Sequence, residues 1–278
     1  DQLPDDTAVL IIHFANPYGG AFLSRTTEEG VDLNRNFIDW GVPLPRNDNY
    51  AKLHADLCYS ETSAQKEKQA ETAIENFQRE YGMPAYFEAI SGAQYEFEDG
   101  LFFGGHQSTW SRKNIERILL EQAGQAKHIA IIDFHTGVGP YGYGMPVTFA
   151  QSANDGLARA FKWYGPSLLA VNAQAENKDL VGDVSGSLIE SVPQLLPDAE
   201  ITAIALEFGT YPFENSFPVF REDHRLGLVG EKHSLEAKKV KEELREIFYP
   251  GSNDWREMVW LRANQVIGQA LAGLQSPS

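Results

Sequence analysis

The chain is short of several things at once. It has one cysteine, Cys58, so no internal disulfide can form. That suits a reducing compartment, and a cytoplasmic location is the expectation. Cys58 itself reads as a half-buried apolar filler beside Leu57 rather than as a nucleophile. Cations are scarce: 23 Lys and Arg stand against 39 Asp and Glu, a formal net charge of −16. This balance argues against a nucleic-acid backbone, which needs clustered cations, and against an anionic membrane surface. It does favour solubility. No apolar run has the length of a membrane span, and no secretory signal is visible. Internal repeats, low-complexity tracts and long Gly/Ser linkers are missing too. What is present is a globular composition, 42% hydrophobic and 22% charged over 278 residues, enough to bury a sizeable core.

Short continuous apolar runs alternate with amphipathic stretches. Ala8–Phe14 ("AVLIIHF"), His128–Phe134 ("HIAIIDF"), Met145–Ala150 and Glu200–Phe208 ("EITAIALEF") read as buried strands. Ser60–Gly82 reads as a polar helix. Ser111–Gln125 reads as an amphipathic helix with Ser111 as its N-cap. "SANDGLARAFKWYG" reads as helix, and two long helices follow Phe208. Buried strands alternating with helices predict an α/β fold: a mainly parallel, mixed central sheet flanked by helices. One domain over residues 1–278 is expected, with a helical insertion at about 50–105.

In open α/β sheets ligands sit outside the carboxyl ends of the strands. The first predicted strand runs into His13 and Asn16. The second ends at Asp133 and His135, in "IIDFHTGVGPYG". The last ends at Glu207, in "ALEFGTYP". Each polar residue closes an apolar run and leads into a Gly/Pro-rich loop, so the three ends read as one site. Asp133 and His135 are two apart and share a face, which lets the carboxylate fix the imidazole. Glu207 is costly to bury unpaired and is read as a general base. Between the first strand and the insertion, "GGAFLSRTTEEGVDLNRNF" gathers Arg25, Asn34, Arg35 and Asn36 in an otherwise acidic chain. That grouping reads either as a turn or as an anion holder, with Asn36 bracing its own loop.

Taken in order, "NPYGGAFLSRTTEEGVDLNRNF", "DFHTGVGPYG" and "ALEFGT" resemble the zinc carboxypeptidase superfamily, which includes aspartoacylase and succinylglutamate desuccinylase. With "GGHQSTWS", "LEFGTYP" and "FYPGSNDWREMVWLRANQVIGQAL" the chain looks most like a bacterial branch catalogued as a domain of unknown function. The resemblance covers nearly the whole chain. It implies that Asn34 and Arg35 bind a substrate carboxylate and that Arg25 stabilises the oxyanion. It further implies that His135 binds zinc and that Glu207 activates the metal-bound water. The chemistry suits those groups: a planar guanidinium grips a carboxylate in bidentate fashion, and a second cation meets charge that develops in the transition state.

Two departures from the family pattern are visible. The family's other zinc ligands form a His-x-x-Glu motif before the Asn-Pro loop, and residues 1–15 hold none. A catalytic zinc uses three protein ligands. The chain, which begins at Asp1, is therefore expected to lack an N-terminal portion, with the full site needing ligands upstream of Asp1. The one literal match, His233–Glu236, lies in a strongly charged stretch and reads as a solvated helix face. The second departure is that "GDVSGSLIES" lacks the tyrosine that carboxypeptidases carry there, and Tyr141, Tyr143 and Tyr211 have no assigned place. His13 reads as a hydrogen-bonded strand-end histidine, and His106 as a cap of the following helix rather than a pocket residue. The expected activity is zinc-dependent hydrolysis of an amide bond next to a free carboxylate. The rivals are an N-acyl-amino-acid deacylase and a non-catalytic carboxylate-binding module with an incomplete metal site. The implied partner is a peptide or acyl-amino-acid substrate, not a nucleic acid or a membrane.

Overall fold

The computed structural model describes residues 3–61, 63–149, 155–171, 185–231 and 233–276. Its sheet has four strands: β1 (His128–Tyr141), β2 (Met145–Thr148), β3 (Leu169–Ala170) and β4 (Glu200–Gly209). Their order is β1-β4-β2-β3. β1 and β4 are parallel, β2 is antiparallel to β4, and β3 is parallel to β2. The mixed, mainly parallel α/β fold expected from the sequence is present.

β4 is central and is the most buried strand, in keeping with its unbroken apolar run. Its side chains alternate between two cores. Ile204, Leu206 and Phe208 pack under α5 (Asp155–Tyr164) and α9 (Asn253–Leu274), with Tyr164, Trp255 and Val266. On the other face, Ile201 packs with Ile115 and Leu119 of α4 (Trp110–Ala123) and with Val192 of α6 (Leu188–Leu195). Leu33 and Phe37, from the loop "GVDLNRNF", join this second core beside Ile129 and Ile131 of β1. Two-residue periodicity therefore puts Glu207 and His135 on the sheet face that carries this loop.

After the short helix α1 (Pro17–Phe22), helices α2 (Asp48–Leu57) and α3 (Ala64–Ser91) pack on each other, around Tyr50, Leu53, Leu57, Phe77 and Ile90. Phe217 of α7 (Phe213–Leu228) closes that cluster, and α8 (Leu235–Phe248) packs on α7. None of the described helices is long and apolar enough to cross a membrane.

Three expectations are corrected. Ala8–Phe14 is not a strand: its composition is right, but among the described residues nothing ladders with it. It lies open, with Ile11 81% exposed. A strand is stabilised by cross-strand hydrogen bonds and side-chain pairs, not by composition alone. The cap of α4 is Thr109, whose side chain accepts the Arg112 N–H at 3.2 Å; Ser111 is buried at the second position of the helix. Thr109→Ala is expected to lower stability by about 1 kcal/mol, read as a urea midpoint shift. Cys58 is buried rather than half-buried, its Sγ 3.4 Å from Tyr50 Oη. The predicted strand end at Ala150 and the helix start at 152–154 lie outside the described residues.

Candidate functional site

His135 and Glu207 are register partners across β1 and β4. His135 Nε2 lies 2.7 Å from Asp133 Oδ2, and its Nδ1 lies 3.3 Å from Glu207 Oε1. Burial alone would pull the imidazole pKa down. The two carboxylates outweigh it, and the net shift is well above the ordinary histidine value. The ring is therefore an imidazolium donating on both sides. The other Glu207 oxygen, Oε2, is buried and accepts no hydrogen bond from the described residues. Such an orphan is costly in a folded protein unless it has a use.

The sign of the pH dependence follows. The folded state holds the His135 proton more tightly than the unfolded chain. The stabilisation is complete below about pH 6.5, the unfolded value, and is lost as pH rises through the higher folded value. Urea midpoints are expected to fall as pH rises above about 6.5, and His135→Gln should remove that part of the slope.

Beyond His135, β1 leaves register with β4 between Thr136 and Tyr141. Gly137 (φ 113°) and Gly139 (φ 92°) adopt backbone angles that L side chains rarely take. Gly209 faces this bulge so closely that a Cβ would run into the carbonyls of Gly139 and Pro140. The glycine-rich exit from the strand thus lets two backbones meet beside the histidine.

The second group of residues centres on Asp32, which is 3% exposed. Its Oδ2 receives Arg25 Nε and Nη2, each at 2.9 Å, and its Oδ1 receives the Asn34 N–H at 3.2 Å. Burial pushes the Asp32 pKa up, but Arg25 and Arg35 reverse this and leave it below the usual value. Arg35 is itself buried. It donates to the carbonyls of Asn34 at 2.9 Å and Ser91 at 2.6 Å, the latter the last residue of α3, where a cation meets the negative end of the helix dipole. Its Nε is buried without a partner among the described residues. Asn34 Oδ1 accepts the Leu188 N–H at 3.1 Å, tying the loop to α6. Asn36 reaches much further than its own loop. It donates to the Gly104 and Gln107 carbonyls and accepts the Thr109 N–H, holding the approach to α4.

Arg25 is the cation nearest to solvent, its side chain 31% exposed. Its guanidinium stands 5.2 Å from the Phe102 ring and 5.8 Å from the Phe220 ring. Phe220 packs on Phe248 at 5.2 Å, and Phe248 lies beneath Gly137 of the bulge. The two groups of residues are thus joined by an aromatic wall. Among the described residues no hydrogen bond or ion pair connects them directly.

The other candidates are placed elsewhere. His13 is exposed, against Phe14, on a segment that is not a strand. His106 is exposed, 4.0 Å from Glu98, and caps nothing. His233 precedes α8, whose N-cap is Ser234, so it does not share a helix face with Glu236. Tyr141 Oη bonds Ser252 at 2.6 Å and Tyr211 Oη bonds Glu246 at 2.9 Å, both on the rim beyond the bulge. Residues 182–184 of the tyrosine-less stretch lie outside the described residues. Sequence reasoning missed Asp32. The signal was there, since an Asp two residues before a turn amide is an Asx-turn pattern.

Zinc does not fit these residues as they stand. Both ring nitrogens of His135 are engaged by carboxylates. No group of three or more His, Cys, Asp or Glu among the described residues is arranged to hold a metal ion.

Fold and site together define a mixed α/β domain with an acid–base cluster at the carboxyl end of its parallel strands. The chain belongs to the family described as "Protein of unknown function (DUF2817)", whose model matches residues 1–262. No curated protein and no solved structure matches it.

Proposed function

We propose that this chain is a hydrolase of amide bonds next to a free carboxylate, as in the zinc carboxypeptidase superfamily that its motifs resemble. One observation carries the reading. Asp133, His135 and Glu207 form a row at the carboxyl end of β1 and β4, with Glu207 Oε2 buried and without a partner among the described residues. Asp133 orients the imidazolium, and the imidazolium holds one oxygen of Glu207. Oε2 is left to take a proton from water and return it to the leaving amine. Arg25 uses Nε and Nη2 on Asp32, so Nη1 is the edge that meets a substrate carboxylate or oxyanion. Asn34 and Arg35 support that cation by fixing its loop.

A second reading has its own support. The engagement of both His135 nitrogens favours a non-catalytic module that binds carboxylates without metal. Peptides, N-acyl amino acids and their C-terminal amides, assayed with and without zinc, separate these readings and also peptidase from deacylase. Turnover of free acids is expected, with amidation raising KM at least about tenfold, the scale of one charge-assisted hydrogen bond. Equal turnover of acids and amides contradicts carboxylate recognition. Binding of acids with no turnover under any condition favours the module.

A further inference from the structure

Outside the acid–base cluster, one polar group joins three segments far apart in sequence. Asp99, at the tip of the loop between Gln94 and Phe103, is gripped from two helices. His54 of α2 places Nε2 3.0 Å from Asp99 Oδ1, and His224 of α7 places Nε2 2.8 Å from the Asp99 carbonyl. The loop behind it is fixed by Gln94, whose Nε2 donates to the Phe97 and Leu101 carbonyls. The His54 ring lies 4.0 Å from the Phe97 ring.

What this clasp joins gives it meaning. Phe102 is three residues past Asp99, and Phe220 is one helical turn before His224. These are the two rings that stand against the Arg25 guanidinium. Phe102 also holds a positive φ of 57°, a conformation that persists in a non-glycine residue only where its surroundings impose it. A third tie comes from α8: Lys241 Nζ donates to the Leu23 carbonyl at 3.2 Å and to Asp223 at 2.9 Å, steadying the backbone two residues before Arg25.

We propose that Asp99, gripped by His54 and His224, is a positioning element that locks Phe102 and Phe220 against Arg25 and so sets the direction of its free Nη1 edge. Its functional meaning rests on the reading of Arg25 as the substrate-facing cation. Both histidines are held below the ordinary value by burial, against the opposing pull of Asp99, and for His224 also of Asp223. His224 is then a neutral ring whose Nε2–H donates to the Asp99 carbonyl.

The test needs no substrate. In ¹H–¹⁵N spectra of the full chain, the Arg25 Nε–H signal is assigned by its loss in Arg25→Lys. It should be sharp, slow to exchange and shifted by ring currents. In His224→Ala its exchange is expected to quicken by up to about tenfold, the scale of one lost hydrogen bond, and the ring-current shift should collapse. His224→Gln, which places an amide N–H where Nε2 was, should restore both. Unchanged exchange and shift in His224→Ala, or no restoration by Gln, overturns the proposal. If His224→Ala does not fold, Asp99→Ala frees His54 and should move the signal the same way; an unmoved signal there overturns it equally. Because the readout is Arg25 itself, absence of hydrolysis leaves this result standing. If hydrolysis is found, His224→Ala should lower kcat/KM, through KM where Nη1 holds the substrate carboxylate and through kcat where it meets the oxyanion.

Discussion

Asp32→Ala is expected to remove about 3–5 kcal/mol of stability, the cost of stripping the partner from a buried charge. Asp32 is the counter-ion shared by Arg25 and Arg35, and it also accepts the Asn34 N–H that shapes the turn. Arg35 cannot move to water: it is 6% exposed, with Tyr95 Oη bonded to its carbonyl and its guanidinium seated on α3. Burial already holds the Arg35 pKa below its usual value, and removing Asp32 takes away the largest opposing charge while leaving the repulsion of Arg25. Asp32→Asn keeps an acceptor for the turn but not the charge, so it should lie between wild type and alanine. Acid should mimic the loss. The folded-state pKa of Asp32 is depressed, so its stabilisation is present above the unfolded value of about 3.8 and disappears as pH falls through the folded one. A urea titration at neutral pH reads the effect, and a loss below about 1 kcal/mol would mean that Arg35 needs no counter-ion.

Parts of this were legible in the sequence. β4 was, because a central strand buried on both faces must be an unbroken apolar run. Asp133 and His135 were also legible, because alternation alone puts residues two apart on one face. Ala8–Phe14 shows the limit: its residues favour a strand, but a strand also needs a neighbour, and that is a fact about another segment. Arg35 shows a second limit. A guanidinium in a polar loop advertises an anion, yet its acceptor is the carbonyl of Ser91, 56 residues away. His54, Asp99 and His224 were invisible for the same reason, as nothing local announces a clasp made by three distant segments. The α4 cap was misplaced by two residues because Thr109 and Ser111 are both good capping types. Only the backbone geometry, extended at Thr109, distinguishes them.

The catalytic reading stands on Glu207, and one substitution tests it most directly. Glu207→Gln keeps the size of the side chain and an oxygen for His135, and removes the proton acceptor at Oε2. Hydrolysis of carboxylate-bearing amides, assayed on the full chain with zinc supplied, should fall by about 10²–10⁴-fold, the usual worth of a general base. Zinc content and the unfolding midpoint are measured alongside, so that loss of metal or of fold is not mistaken for loss of chemistry. The expected result is a collapse in kcat with KM little changed. Wild-type turnover in Glu207→Gln would contradict a catalytic role for the Asp133–His135–Glu207 row.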